Sequence, residues 1–213
     1  IKTNRMKSAW LILTFVSWFP CLGQNLVPNP SFEERKGCPK SAQDLKNLKH
    51  WEPASINVPT YFNACSRSNG LALNGFGSQS PFDGEAMLGL ALYNKTYQRE
   101  YVQIALTEKL QKGMKYEVSF YVSLAEVSTV AIDAIGAYLS KIPANPKERL
   151  FSLTPHIFTA PGSPIADTKS WILVSGTYLA KGDEQHLVIG NFYANSKTGA
   201  EEVKGPNLPP KAY

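Results

Sequence analysis

The chain carries many carboxylates and three histidines, the side chains that acid–base and metal chemistry draw on. Glu52, Asp83, Glu85, Glu100, Glu117, Glu126 and Asp133 are numerous enough to supply the paired carboxylates of a glycosidase, but no spacing singles out two of them. His50, His156 and His186 are scattered, and no Cys-x-x-Cys spacing accompanies them, which argues against a zinc site. There is no Gly-x-Ser-x-Gly elbow and no His-Glu-x-x-His motif. Gly75, Gly77, Gly84 and Gly89 lack the strand-to-helix context of a phosphate loop. The expectation is therefore a protein without an active site of its own. Recognition chemistry is better represented. A sugar face needs rings that stack on pyranose rings and polar groups that catch hydroxyls, and Tyr61, Arg99, Tyr101, Gln103 and Tyr121 offer both.

Those residues must be positioned by strands. In the segment 116–124, Tyr116, Val118, Phe120, Val122 and Leu124 share one face, and Glu117, Ser119, Tyr121 and Ser123 share the other. That period of two describes a strand with one face on a core and one towards water. Segment 101–106 repeats it, with Val102, Ile104 and Leu106 inward, so Tyr101 and Gln103 should face outward. Tyrosine on an exposed strand face also favours cross-strand packing, and a second layer over that face would reverse inside and outside. Further strands are expected over 86–92, 133–139, 171–179 and 186–193, separated by Gly, Pro, Asn and Asp. Residues 45–50 suit a short helix and 127–131 a single helical turn. Residues 37–85 read as long ordered loops, in which Trp51 and Phe62 serve to pin the chain to the core. Many short strands with turn-rich gaps predict an all-β antiparallel sandwich.

The first residues look like an export leader. Lys2, Arg5 and Lys7 precede an apolar run over 9–22, which is short for a membrane span, and Cys21-Leu22-Gly23 suits cleavage before Gln24. An uncleaved anchor is the other reading. Removing those three cations from 22 leaves 19 basic residues against 17 acidic ones, a balance that gives no reason to expect nucleic acid. The expected organisation is a signal peptide over 1–23 and one β-sandwich domain over 24–213, about 190 residues, with no transmembrane segment once the leader is gone. Export implies periplasm, outer-membrane surface or medium. Cys38 and Cys65 remain, and two thiols in an oxidising compartment most often pair, contributing roughly 3 kcal/mol by closing the intervening loop. Two free thiols are the alternative.

Several ordered motifs carry a family resemblance. They are Asn25-Leu26-Val27-Pro28-Asn29-Pro30-Ser31-Phe32-Glu33, Cys38-Pro39, Trp51, Tyr61-Phe62-Asn63-Ala64-Cys65, Phe76-Gly77, Arg99-Glu100-Tyr101-Val102-Gln103 and residues 118–125. Together they resemble the N-terminal sandwich of secreted and outer-membrane Bacteroidetes proteins, which often precedes a domain of the outer-membrane protein A type. That sandwich is similar in outline to galactose-binding-like jelly rolls, including carbohydrate-binding modules of families 4 and 9. The resemblance implies a jelly roll, a glycan or cell-envelope component as partner, and a final strand and downstream domain lying beyond Tyr213. It also implies a structural calcium ion, with Glu33 or Glu34 as a ligand; two solvated surface glutamates are the alternative. Besides a glycan-binding module, a structural or adhesive module and an accessory domain of a hydrolase are compatible with these residues.

Overall fold

The computed structural model describes residues 23–68, 70 and 75–203. The leader expected over 1–23, apart from Gly23, and the proline-rich tail from 204 onwards lie outside the described residues. The strands in chain order are β1 (Trp51–Pro53), β2 (Thr60–Asn63), β3 (Ala86–Gly89), β4 (Val102–Ala105), β5 (Lys115–Val122) and β6 (Val130–Ile132). They continue as β7 (Gly136–Ser140), β8 (Ile157–Phe158), β9 (Ile172–Leu179), β10 (His186–Gly190) and β11 (Ala200–Glu202). Three short 3-10 turns are the only helical elements among the described residues. None is long and apolar enough to cross a membrane.

The protein is an all-β sandwich of antiparallel sheets. One layer is five-stranded, in the order β1-β4-β10-β7-β8. Against it lie the pairs β2–β3 and β5–β9, and the pair β6–β11 stands beside them. The core follows from alternation. Trp51, Val102, Ile104, Ala137, Leu139 and Leu187 leave the five-stranded sheet on one side. Tyr116, Val118, Phe120, Val122, Val174 and Tyr178 come from β5 and β9 to meet them. Ile104, only 1% exposed, is worth about 2 kcal/mol as a fully buried aliphatic. A smaller cluster of Leu92, Val130, Ile132 and Ile135 packs on Phe120 and Val122.

The outer side of the five-stranded sheet is not bare. Tyr101 and Val188 on it pack with Ala54, Leu150 and Phe192, and Tyr138, Ala144 and Leu153 complete that second core. The segment from Ala144 to Leu153 thus lies over a face that strand alternation alone would leave in water.

The N-terminal motif is a structural knot. Asn29 takes a left-handed backbone (φ 50°), and its amide donates to the carbonyls of Glu34 and Lys49, both at 3.0 Å. Its carbonyl receives the indole N–H of Trp51 at 2.9 Å, and Phe32 packs on that indole with centroids 5.1 Å apart. Trp51 and Phe62 are buried, but as residues of β1 and β2: two strands interrupt the stretch 37–85 expected to form loops throughout. Cys38 and Cys65 form a disulfide, tying the start of the irregular region to the end of β2. Residues 127–131 do not form the expected helical turn: Val130 and Ala131 belong to β6, where pairing with β11 satisfies their backbone. The short helix expected over 45–50 is a 3-10 turn at Asp44–Asn47.

Candidate functional site

Four of the five residues expected to bind a ligand are buried, and each has a structural partner. Tyr101 is 4% exposed because the 144–153 segment and Phe192 cover its face; its hydroxyl donates to the carbonyl of Asn191. Gln103 lies under the same cover. Its side-chain oxygen accepts from the Ala144 amide at 2.7 Å and its nitrogen donates to the Ala144 carbonyl at 3.2 Å, so it clamps the covering segment. Arg99 is buried too, donating to the carbonyls of Asn191 and Tyr193 and to the side chain of Asn195. It holds the 191–195 loop against the sheet. Tyr61 sits in the main core and donates to the Phe32 carbonyl at 3.0 Å. The outward orientation read for Tyr101 and Gln103 is therefore corrected: alternation separated two faces, but both are dry.

Glu33 and Glu34 diverge. Glu33 accepts the Glu85 amide at 2.7 Å, whereas Glu34 lies beside Lys49 at 3.9 Å and His50 at 3.5 Å. Among the described residues no three His, Cys, Asp or Glu side chains converge as a metal site would require.

Tyr121 is the exception. On β5–β9, the outward-facing register pairs are Lys115 with Leu179, Glu117 with Thr177, Ser119 with Ser175, and Tyr121 with Leu173. Among the described residues this face carries no covering layer of its own, and its side chains are exposed. At one end Phe82 stacks on Tyr121, with ring centroids 3.6 Å apart and planes 15° from parallel. Both rings remain exposed, as does Leu173. Trp171, two residues before Leu173, falls on the same side by alternation.

The loop that delivers Phe82 is held from several directions. The Glu126 carboxylate accepts the Ser78 amide at 2.9 Å and its hydroxyl at 3.1 Å. Gly77 (φ 137°) lies so close to that carboxylate that a Cβ there would overlap it. The Trp171 indole donates to the Ser80 carbonyl at 2.9 Å. Opposite, the Asp167 carboxylate caps the turn before Trp171 by accepting the Lys169 and Ser170 amides, which hold its pKa below the usual carboxylate range. The result is an aromatic platform fixed on a rigid strand pair, flanked by Ser119, Ser175 and Glu117. It can stack a planar or ring-shaped apolar surface and accept hydrogen bonds beside it. Phe82 had no sequence signal as a site residue, because its partner is 39 positions away and only the fold joins them.

Three further carboxylates, two buried and that of Glu100 half-buried, are engaged elsewhere. Asp133 accepts the Gly162 amide at 2.6 Å and the Gly199 amide at 2.8 Å. Glu184 caps the β9–β10 turn by accepting the Lys181 and Gly182 amides. Glu100 accepts one amide, that of Ala91 at 2.7 Å, and burial pushes its pKa up to about 7. The neutral acid is the form the fold prefers. Its folded pKa lies above the unfolded value, so its stabilising contribution is complete below about pH 4.5 and is lost as pH rises towards 7. Replacing Glu100 with Gln should abolish this decline. Denaturant titrations at pH 4 and pH 8 should find the variant the more stable at pH 8 by about 2 kcal/mol, with the two proteins converging at pH 4.

No family model, curated protein or solved structure matches the chain.

Proposed function

We propose that this chain is a non-catalytic, exported binding module that recognises a glycan or another cell-envelope component on the outer face of β5–β9. The observation that carries the reading is the Phe82–Tyr121 stack, two large rings left exposed on a strand pair whose other side is core. Exposed aromatics held rigidly lose little entropy on binding, and a pyranose presents an apolar face of matching size. Ser119, Ser175 and Glu117 supply acceptors and donors for its hydroxyls. The non-catalytic reading is supported by the engagement of Asp133 and Glu184 with backbone amides, which leaves their oxygens occupied in structure. The disulfide suits an oxidising compartment, which supports export to the periplasm, cell surface or medium.

Binding to an array of neutral and acidic glycans, peptidoglycan fragments included, tests this. Tyr121→Ala and Phe82→Ala should each weaken the best glycan at least about tenfold. Both side chains are exposed but stacked on each other, so each variant should stay folded and lose no more than about 1.5 kcal/mol of stability. A chain that binds no glycan, or variants that bind as well as wild type, would refute the platform.

A further inference from the structure

The opposite end of the sandwich holds a second surface of different chemistry. Three connections meet there: residues 107–114 between β4 and β5, the residues following β7, and the β9–β10 turn. Backbone hydrogen bonds join them. The Asp183 amide donates to Leu110, the Leu110 amide to Glu184, the Gly113 amide to Ala180, and the Gln185 amide to Ser140, all within 2.8–3.0 Å. The turns at Lys112 and Gly182 touch so closely that a Cβ on Gly182 would lie 3.0 Å from that of Lys112.

Two kinds of side chain leave this tip. Met114, Leu179 and Ile142 are apolar yet 54%, 58% and 73% exposed. Around them Lys109, Lys112, Lys115, Lys141 and Lys181 are all exposed. Exposed carboxylates here are few. Asp183 is paired with Lys141 at 3.4 Å, Glu108 lies on the first connection, and Glu117 is the next outward residue along β5. Among the described residues, Lys109, Lys112, Lys115 and Lys181 form no ion pair. Apolar side chains standing out of a ring of uncompensated lysines match one surface in particular: negative headgroups above an apolar interior. A soluble polyanion would be drawn by the lysines but would have no use for Ile142. The platform at Tyr121 lies about 20 Å away along β5, so the two surfaces are separate.

We propose that this tip docks the protein onto an anionic lipid surface, the lysines meeting the headgroups and Ile142, Met114 and Leu179 entering the interface. Docking by the tip engages the Lys115–Leu179 end of the outer face of β5–β9 and leaves its Tyr121–Leu173 end free.

Vesicle co-sedimentation of the full chain tests the proposal, using phosphatidylcholine alone and phosphatidylcholine with 30% phosphatidylglycerol. Comparison with tip variants in the same full chain removes any contribution from its other segments. The expected result is binding to the anionic vesicles that weakens steeply between low and 0.5 M salt. Lys112→Glu with Lys181→Glu should weaken it about thirtyfold or more. Ile142→Ser with Met114→Ser should weaken it about tenfold. Circular dichroism melts should show both double variants folded. Three results would overturn the proposal: equal binding to both vesicle types, binding that survives the lysine reversals, or binding that the lysine reversals abolish but the Ile142 and Met114 changes leave intact. The last would make the tip a general polyanion site.

Discussion

Gly190→Ala should be among the most damaging single methyl additions this fold can receive. Gly190 is the last residue of β10, paired with Gly136 across the sheet, and the Tyr101 ring lies against it. A Cβ at position 190 would overlap one ring carbon and stand 2.7 Å from a second and 3.0 Å from a third. The ring has nowhere to go. Its hydroxyl is held by the Asn191 carbonyl, the Phe192 ring meets it at 5.4 Å, and Tyr101 itself is buried. Relief therefore demands a shift of backbone or of the second core. The expected cost is about 3 kcal/mol, a fall of roughly 6–12 °C in thermal midpoint. A double-mutant cycle checks the cause. Tyr101→Leu should be destabilising in the wild-type background and much less so in the Gly190→Ala background, because it removes the obstacle. Additive effects would show that the ring is not what position 190 must avoid.

Glu184→Ala should cost a similar amount by the opposite route, through groups left unpaired. The Glu184 carboxylate is buried inside the β9–β10 turn. It accepts the Tyr178 hydroxyl at 2.7 Å, the Lys181 amide at 2.9 Å and the Gly182 amide at 2.9 Å. Burial pushes its pKa up, but the hydrogen bonds from Tyr178 and the turn amides outweigh burial and hold it below the usual glutamate value. Alanine leaves three donors without an acceptor, for an expected loss of about 3 kcal/mol at neutral pH. Glu184→Gln should lose less, since one oxygen remains to accept.

The pH dependence distinguishes this carboxylate from Glu100. The folded pKa of Glu184 is depressed, so its contribution is present above about pH 4.5 and disappears as pH falls through the folded value. Wild-type stability should therefore drop on acidification more steeply than that of the Glu184→Ala variant. Tyr178 reports from the alkaline side: burial, followed by its bond to Glu184, pushes its pKa up to about 12. Its contribution is complete below about pH 10 and is lost as pH rises towards 12. Chemical denaturation from pH 3 to pH 7 should show the acid limb flattened in Glu184→Ala. An unchanged limb would remove Glu184 from the account. The same turn presents Lys181 at the basic tip, so a rigid Glu184 brace also fixes part of that surface.

The sandwich was readable from alternation wherever one face of a strand is dry. β5 shows this best: Tyr116, Val118, Phe120 and Val122 turn to the core, and Glu117, Ser119 and Tyr121 turn outward, as their polarity predicts. The starts and ends of the other strands were less legible, because pairing partners decide where a ladder stops. β7 begins at Gly136, three residues beyond the expected start, since Asp133 is turned instead to the amides of Gly162 and Gly199.

By itself the sequence determined which residues share a face, that many short strands would stack into an all-β sandwich, and that Trp51 and Phe62 would be buried, though as strand residues of β1 and β2 and not as loop anchors. Tertiary structure alone decided which faces meet water. β4 reads like β5, yet the segment around Ala144 and Leu150 covers its outer side, so Tyr101 and Gln103 became core and clamp. The same step brought Phe82 onto Tyr121. A period of two records the geometry of a single strand, whereas burial depends on what distant chain is folded over it, and no local spacing encodes that.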